Sequence, residues 1–215
     1  MKEVIAMIEL FEKYERENLS LTEKIQLAEN DLLKAGFYVD EMEGSIFNKN
    51  YAYLSEHSPY AVVIIQHIMK EQLKYFCILD RIVYDRLKLL SFSVNPTKGS
   101  VYDNIQDTSK YRVIVCREKF GIKNCPIYDL IVDKGNLPLI DHQLHSHGIN
   151  VCEFLRPATR KQNAANKKGS KSDDPVFRYK YEEDFSFTWY VFIYWKVMGI
   201  ISRREAFDYN LKYNK

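Results

Sequence analysis

The chain has 215 residues, 46% of them apolar and 14% aromatic, with only eight glycines. That composition excludes a disordered or collagen-like chain and supplies enough apolar material for a buried core. The formal net charge of +2 excludes a uniformly basic or acidic protein, yet residues 1–60 hold six Lys or Arg against twelve Asp or Glu, so that part is −6 and the remainder +8. A basic remainder suits either a polyanion such as nucleic acid or an ordinary solvated surface.

Val4, Ile8, Phe11 and Tyr14 recur at helical spacing with acids on the opposite face, which predicts a helix over about 3–17. Ser20 with Glu23 forms a capping box, and Ile25, Ala28, Leu32 and Leu33 continue a second helix to Gly36. This acidic αα-hairpin, residues 1–45, reads as a packing or protein-interaction element. From Phe37 the pattern changes. "YAYLSE", "YAVVIIQHIM" and "LKYFCIL" predict strands, and Asp80 to Leu90 a helix. "FSVNPTKGSVY" predicts a hairpin about Pro96 and Gly99, and "YRVIVCRE" and "CPIYDLIV" two further strands. "NKKGSKSDDP" has linker composition. After it, "VFRYKYEEDFSFTWYVFIYWKVMGI" predicts two or three strands, and Ser202 with Glu205 caps a final helix.

Cys77, Cys116, Cys125 and Cys152 contain no CxxC pair, so no zinc knuckle is signalled and reduced, mostly buried thiols are expected. No stretch approaches the roughly 20 apolar residues of a membrane helix. The chain opens as amphipathic helix rather than as a signal segment. No membrane partner and an intracellular location are therefore expected.

The chemistry concentrates in "LPLIDHQLHSHGINVCEFLRPATRKQNAANKKG", Leu137 to Gly169. A strand ends in Asp141 and His142, a polar loop follows, then a short strand near Glu153 to Arg156 and a helix capped by Thr159 and running to about Lys167. Asp141 and Asn163 offer oxygen ligands suited to Mg²⁺ or Mn²⁺, and His142 can act as base near neutral pH. One obstacle is geometric: adjacent strand residues face opposite ways.

The stretch resembles the ββα-metal site of HNH endonucleases of the phage and intron-type homing class, whose pattern is DH-x-x-G-x-x-x-D-N-R-x-x-N-L-R followed by T-x-x-Q-N. Without a gap the chain retains Asp141, His142, Asn150, Leu155, Arg156, Thr159, Gln162 and Asn163. The resemblance implies Asp141 and Asn163 as metal ligands, His142 as general base, double-stranded DNA as substrate, and a cytoplasmic setting in a bacterial or phage-infected cell. It extends more weakly upstream, over "FCILDRIVYDRLKLLSFSVNPTKGSVY". Downstream, the C-terminal strands and helix resemble the three-strand-plus-helix DNA-binding module often joined to such enzymes. Residues 1–36 resemble nothing in the family.

The implied organisation is an α+β fold: a helical hairpin over 1–45, a nuclease-like unit over 46–168 and a DNA-binding module over 169–215. The chain departs from the pattern where Phe154 replaces the middle asparagine, His145 the loop glycine and Ile149 the aspartate before Asn150, and where Tyr128 and Asp129 replace a preceding His-Arg pair. Arg156, Arg160, Lys161, Lys167, Lys168 and Lys171 are the candidate phosphate contacts, with Arg178 and Lys180 on one face of a later strand. Three functions stay open. They are a metal-dependent DNA endonuclease, a nuclease-derived protein that binds DNA without cutting it, and an interaction or antagonist protein built on the acidic N-terminal helices.

Overall fold

The computed structural model describes residues 11, 14, 19–70, 73–97, 111–117, 121–166 and 189–206. The first long helix, α1 (Leu21–Lys34), starts at the anticipated capping box: the Glu23 backbone N–H donates to Ser20 Oγ at 3.3 Å, and the Ser20 N–H to Glu23 Oε2 at 2.7 Å. It buries Leu21, Ile25, Ala28, Glu29 and Leu32, one stripe at helical spacing. The chain then leaves the helix through Gly36 at φ +84°, a conformation glycine adopts without a Cβ penalty.

Four strands follow: β1 (Tyr38–Glu41), β2 (Asn48–Leu54), β3 (Tyr60–His67) and β4 (Lys74–Asp80). They form consecutive antiparallel pairs in a sheet that a fifth, distant strand completes in parallel along β4. In β3, residues 60–65 are all buried, so this central strand is covered on both faces and reads as an apolar run rather than an alternation. Glu29 ties the helix to the sheet. Its carboxylate accepts from the Tyr51 and Tyr53 hydroxyls at 2.8 and 3.1 Å and from Lys74 Nζ at 2.5 Å.

A short helix, α2 (Arg81–Leu87), leads to β5 (Ser91–Pro96), which pairs antiparallel with β6 (Tyr111–Arg117); β6 in turn pairs with β7 (Ile122–Pro126). The chain then turns through α3 (Tyr128–Ile131). Next, β8 (Leu139–His142) pairs antiparallel with β10 (Leu155–Ala158), and α4 (Arg160–Ala165) follows immediately. Between the two strands the chain makes an excursion as β9 (Ile149–Asn150), the distant fifth strand beside β4, with Ile78↔Ile149 and Leu79↔Asn150 in register. Gly148 permits this approach, because a Cβ there would lie 2.7 Å from Phe76 Cε2 and 2.8 Å from Tyr111 Oη.

The described residues form an α+β fold with one continuous hydrophobic core reaching from Phe11 to Ala206. The boundary expected at 168/169 lies outside the described residues. No described helix is long and apolar enough to cross a membrane.

Several elements differ from expectation. In "CPIYDLIV" the strand ends at Pro126 and residues 128–131 are helical. The strand expected near Glu153 begins at Leu155, after a 3₁₀ turn at Cys152–Phe154. Within the span expected to alternate as strands, Trp189–Phe192 is a helix, α5, that widens into a π-turn at Ile193–Val197. Residues 189–194 are all buried. An all-apolar run carries no period, and a helix apolar on every side is simply a buried one. Of the cysteines only Cys77 is buried, while Cys152 is exposed. The expected helix over 3–17 lies outside the described residues except for Phe11 and Tyr14, both helical and buried. Tyr14 stacks on Tyr190 with ring centroids 4.7 Å apart, and its hydroxyl and that of Tyr194 both donate to Asp31. The linker after Asn166, residues 176–188 and the Pro96–Gly99 turn beyond residue 97 also lie outside. The Ser202–Glu205 capping box is present, with N–H to carboxylate at 2.6 Å.

Candidate functional site

The strand pair β8–β10 and helix α4 form a strand–strand–helix unit. Its helix start is fixed by Thr159, whose Oγ1 accepts from the Gln162 N–H at 3.2 Å while the Gln162 side chain accepts from the Thr159 N–H at 2.7 Å. In the strand pair, Asp141 stands directly across from Arg156. The Arg156 guanidinium engages Asp141 Oδ2 from both Nε, at 3.0 Å, and one terminal nitrogen, at 2.9 Å. Asn166, at the end of α4, donates its amide to Asp141 Oδ1 at 3.0 Å. Both oxygens of this buried carboxylate are thus engaged.

His142 faces a different set of partners. Its Nε2 lies 3.1 Å from Asn150 Oδ1, while Asn150 Nδ2 donates to the His147 carbonyl at 2.8 Å and reaches Cys77 Sγ at 3.4 Å. Because the Asn150 amide nitrogen is committed as donor, its oxygen must accept, so His142 carries its proton on Nε2 and leaves Nδ1 as the basic nitrogen. The rings of His147 and Tyr128 stand 4.9 and 5.2 Å from the His142 ring. Burial pushes the His142 pKa down to about 3, reinforced by the charges of His147 and Arg112 and only partly opposed by the Asn150 hydrogen bond. At neutral pH the ring is uncharged and barely basic, far from the value near 7 that suits a general base.

Strand alternation therefore holds at the pair. Asp141 points to Arg156 and Asn166, His142 to Asn150 and His147, and no hydrogen bond among the described residues joins them. Asn163 lies half-buried on α4, and its side chain makes no hydrogen bond among the described residues. The helix residue that reaches Asp141 is Asn166, one turn further on. His145 adopts φ +57°, a left-handed conformation, at the position where the family pattern has glycine. His147 Nδ1 contacts the Tyr111 carbonyl at 2.8 Å. Gln143 Oε1, in the same loop, is buried without a partner among the described residues, at a cost of about 1–3 kcal/mol.

Phe154 is buried against Phe192 of α5, with ring centroids 5.6 Å apart, and Lys196 lies over its ring at 5.6 Å while pairing with Glu153 at 3.1 Å. Phe154, at the position of the middle asparagine in the HNH pattern, thus anchors α5. Of the candidate DNA contacts, Arg160 and Lys161 are exposed at the start of α4, and Arg156 is drawn in to Asp141. Lys167, Lys168, Lys171, Arg178 and Lys180 lie outside the described residues. Trp189, Tyr190 and Tyr194 are buried in the core.

A hard cation such as Mg²⁺ suits carboxylate and amide oxygens. In this arrangement the donor set does not fit one, because Asp141 has no unengaged oxygen and a guanidinium already neutralises it. Among the described residues no group of three or more His, Cys, Asp or Glu is placed to hold a metal. No protein-family model, curated protein or solved structure matches the chain.

Sequence reasoning missed Asn166 and the role of Asn150. Asn150 was visible as a retained pattern residue. Asn166 was visible only as the amide one helical turn beyond Asn163.

Proposed function

We propose that the protein acts on double-stranded DNA in the cytoplasm of a bacterial or phage-infected cell, as an endonuclease of HNH type. One observation carries the reading. The antiparallel pair β8–β10 is followed directly by a capped helix, and that unit bears Asp141, His142, Asn163 and Arg156 in the order and spacing of the family pattern. The exposed Arg160 and Lys161 give it a cationic rim suited to phosphates.

A second reading, a nuclease-derived protein that binds DNA without cutting it, is favoured by a specific observation: Asp141 is closed by Arg156 and Asn166, and His142 is buried and neutral. One experiment separates the two. Supercoiled plasmid is incubated with Mg²⁺ or Mn²⁺ and either wild type or His142→Ala, with a mobility-shift titration in low and high salt alongside. Nicking that disappears in the variant supports the endonuclease. Salt-sensitive binding without nicking supports the non-cleaving protein. Absence of binding in low salt defeats both.

A further inference from the structure

We infer that the outer edge of β1 is a docking site for an extended segment of another protein, one that carries two adjacent Lys or Arg followed by two apolar residues. The segment adds to the five-stranded sheet as a sixth, antiparallel strand. β1 ends that sheet on the side away from β9, the strand that carries Asn150, and among the described residues no strand pairs with its outer edge. The Met42 N–H donates to the Asn50 carbonyl at 3.1 Å, and Met42 stands across from Asn50 in the same register that pairs Glu41 with Tyr51. Antiparallel pairing alternates, so the backbone groups of Tyr38 and Asp40 also turn toward β2, while those of Val39 and Glu41 turn outward. No described residue bonds these outward N–H and C=O groups. Such a row is a template for another strand.

The side chains along the edge define what pairs with it. Val39 lies across from Tyr53 and Glu41 across from Tyr51, so both share the face on which Glu29 of α1 meets those tyrosines. Tyr38 and Asp40 lie on the other face, where the Tyr38 hydroxyl accepts from Arg81 and Asp40 accepts from Tyr84. Tyr38 and Val39 are 47% and 46% exposed, which puts one part-open apolar side chain on each face at the start of the strand. Asp40 and Glu41 put a carboxylate on each face at its end, and Glu43 stands exposed just beyond. Lys34, which precedes the strand, and Arg81, which touches it, are paired with Asp31 and Asp85. Across an antiparallel pair, opposite charges and aromatic or β-branched neighbours stabilise, and like charges destabilise. An incoming strand therefore meets Glu41 and Asp40 with two cations and then Val39 and Tyr38 with two apolar residues. A second copy of β1 is the wrong occupant, because each edge brings its own Asp40, Glu41 and Glu43 to the contact.

The test titrates the full chain, in low salt, into a fluorophore-labelled, acetylated and amidated octapeptide, TTKRVVTT. Binding is read by fluorescence anisotropy, and the Val39 and Glu41 amides are followed by NMR-detected hydrogen exchange. Two N-methylated forms of the peptide ask whether the backbones pair. Methyl groups on the Lys and first Val nitrogens block the positions that face Glu41 and Val39, and are expected to weaken binding about tenfold or more. Methyl groups on the Arg and second Val nitrogens point outward and are expected to change little. The unmodified peptide is expected to slow exchange at Val39 and Glu41. Glu41→Lys is expected to lose about fivefold toward TTKRVVTT and to prefer TTERVVTT, in which the matching charge is reversed. Failure of TTKRVVTT to bind at millimolar concentration, equal binding by the two methylated forms, or unchanged exchange at Val39 and Glu41 overturns the inference. So does a dimer of the chain alone, seen by sedimentation, that protects the same two amides, since it assigns the edge to a second copy. Should E41K fail to fold, the methylated peptides measured against wild type decide.

Discussion

Replacing Phe154 with asparagine introduces the residue that the HNH pattern carries at this position, and the structure predicts that the change damages the protein. Phe154 is 2% exposed and packs edge-to-face on Phe192, itself fully buried. Truncating a buried phenylalanine costs about 3–5 kcal/mol through lost transfer energy and the cavity left behind. The ring pair contributes about 0.5–1.5 kcal/mol beyond burial, much of which that figure already includes. Asparagine refills part of the space but brings an amide into it, and each group left unpaired costs about 1–3 kcal/mol. A net loss of about 4 kcal/mol follows. For a chain of this length that lowers Tm by about 8–16 °C, at roughly 2–4 °C per kcal/mol.

Urea unfolding followed by tryptophan fluorescence and circular dichroism measures the loss, and Phe154→Leu, which keeps most of the apolar volume, is expected to lose less than half as much. A double-mutant cycle with Phe192→Ala isolates the contact, with a coupling of about 1 kcal/mol expected for touching rings. Plasmid nicking should not rise in F154N, because His142 is already held by Asn150. A loss under about 1 kcal/mol, or strictly additive single and double variants, would refute the claim that Phe154 is the anchor of α5.

His142 has a native pKa near 3 against an ordinary value of 6.5, so below pH 6.5 the unfolded chain binds a proton that the native chain refuses. Stability is therefore full above pH 6.5 and falls as pH drops toward 3, and His142→Gln flattens the curve in that window. Resonances of the imidazole should show Nε2–H and stay flat down to about pH 4, whereas a midpoint near 6.5 would contradict its burial. Gly148→Ala forces a Cβ into Phe76 and Tyr111 and is expected to cost about 1–3 kcal/mol in thermal unfolding; an unchanged Tm would mean that β9 does not need its close approach. Asp141→Asn strands the Arg156 charge and is expected to cost about 3 kcal/mol, at the low end for buried pairs because Arg156 retains 20% exposure; the check is urea unfolding of D141N beside the double variant with Arg156→Met, which should recover part of the loss.

Where sequence and structure agree, the signal was local. The Ser20–Glu23 and Thr159–Gln162 boxes set helix starts through side chains three residues apart, and the apolar runs of β2, β3 and β4 are bounded by polar or proline breaks. Where they part, the deciding contact was distant. Nothing near Ile149 and Asn150 announces a parallel partner at Ile78 and Leu79, more than seventy residues earlier. Residues 189–197 are rich in aromatic and β-branched side chains, which favour strands on propensity. Burial against Tyr14, Phe76 and Phe154 makes helix the outcome, since a helix satisfies its own backbone groups inside an apolar surround.

The same long-range pairing governs the candidate site. Strand β9 leaves the β8–β10 hairpin and carries Asn150 to the edge of β4, where its amide is fixed by the His147 carbonyl and Cys77 and its oxygen meets His142. His142 is thereby turned toward the large sheet, while strand alternation turns Asp141 toward Arg156 and the end of α4. Acting together on one phosphate would require the pair to converge. The His142 side is pinned by sheet hydrogen bonds and by the Gly148 approach, and rearranging it means breaking backbone pairing. The Asp141 side is closed by two side chains, one of them part-exposed. Of the two sides, the Asp141 contacts are therefore the ones made by side chains alone, and Arg156 is their part-exposed member.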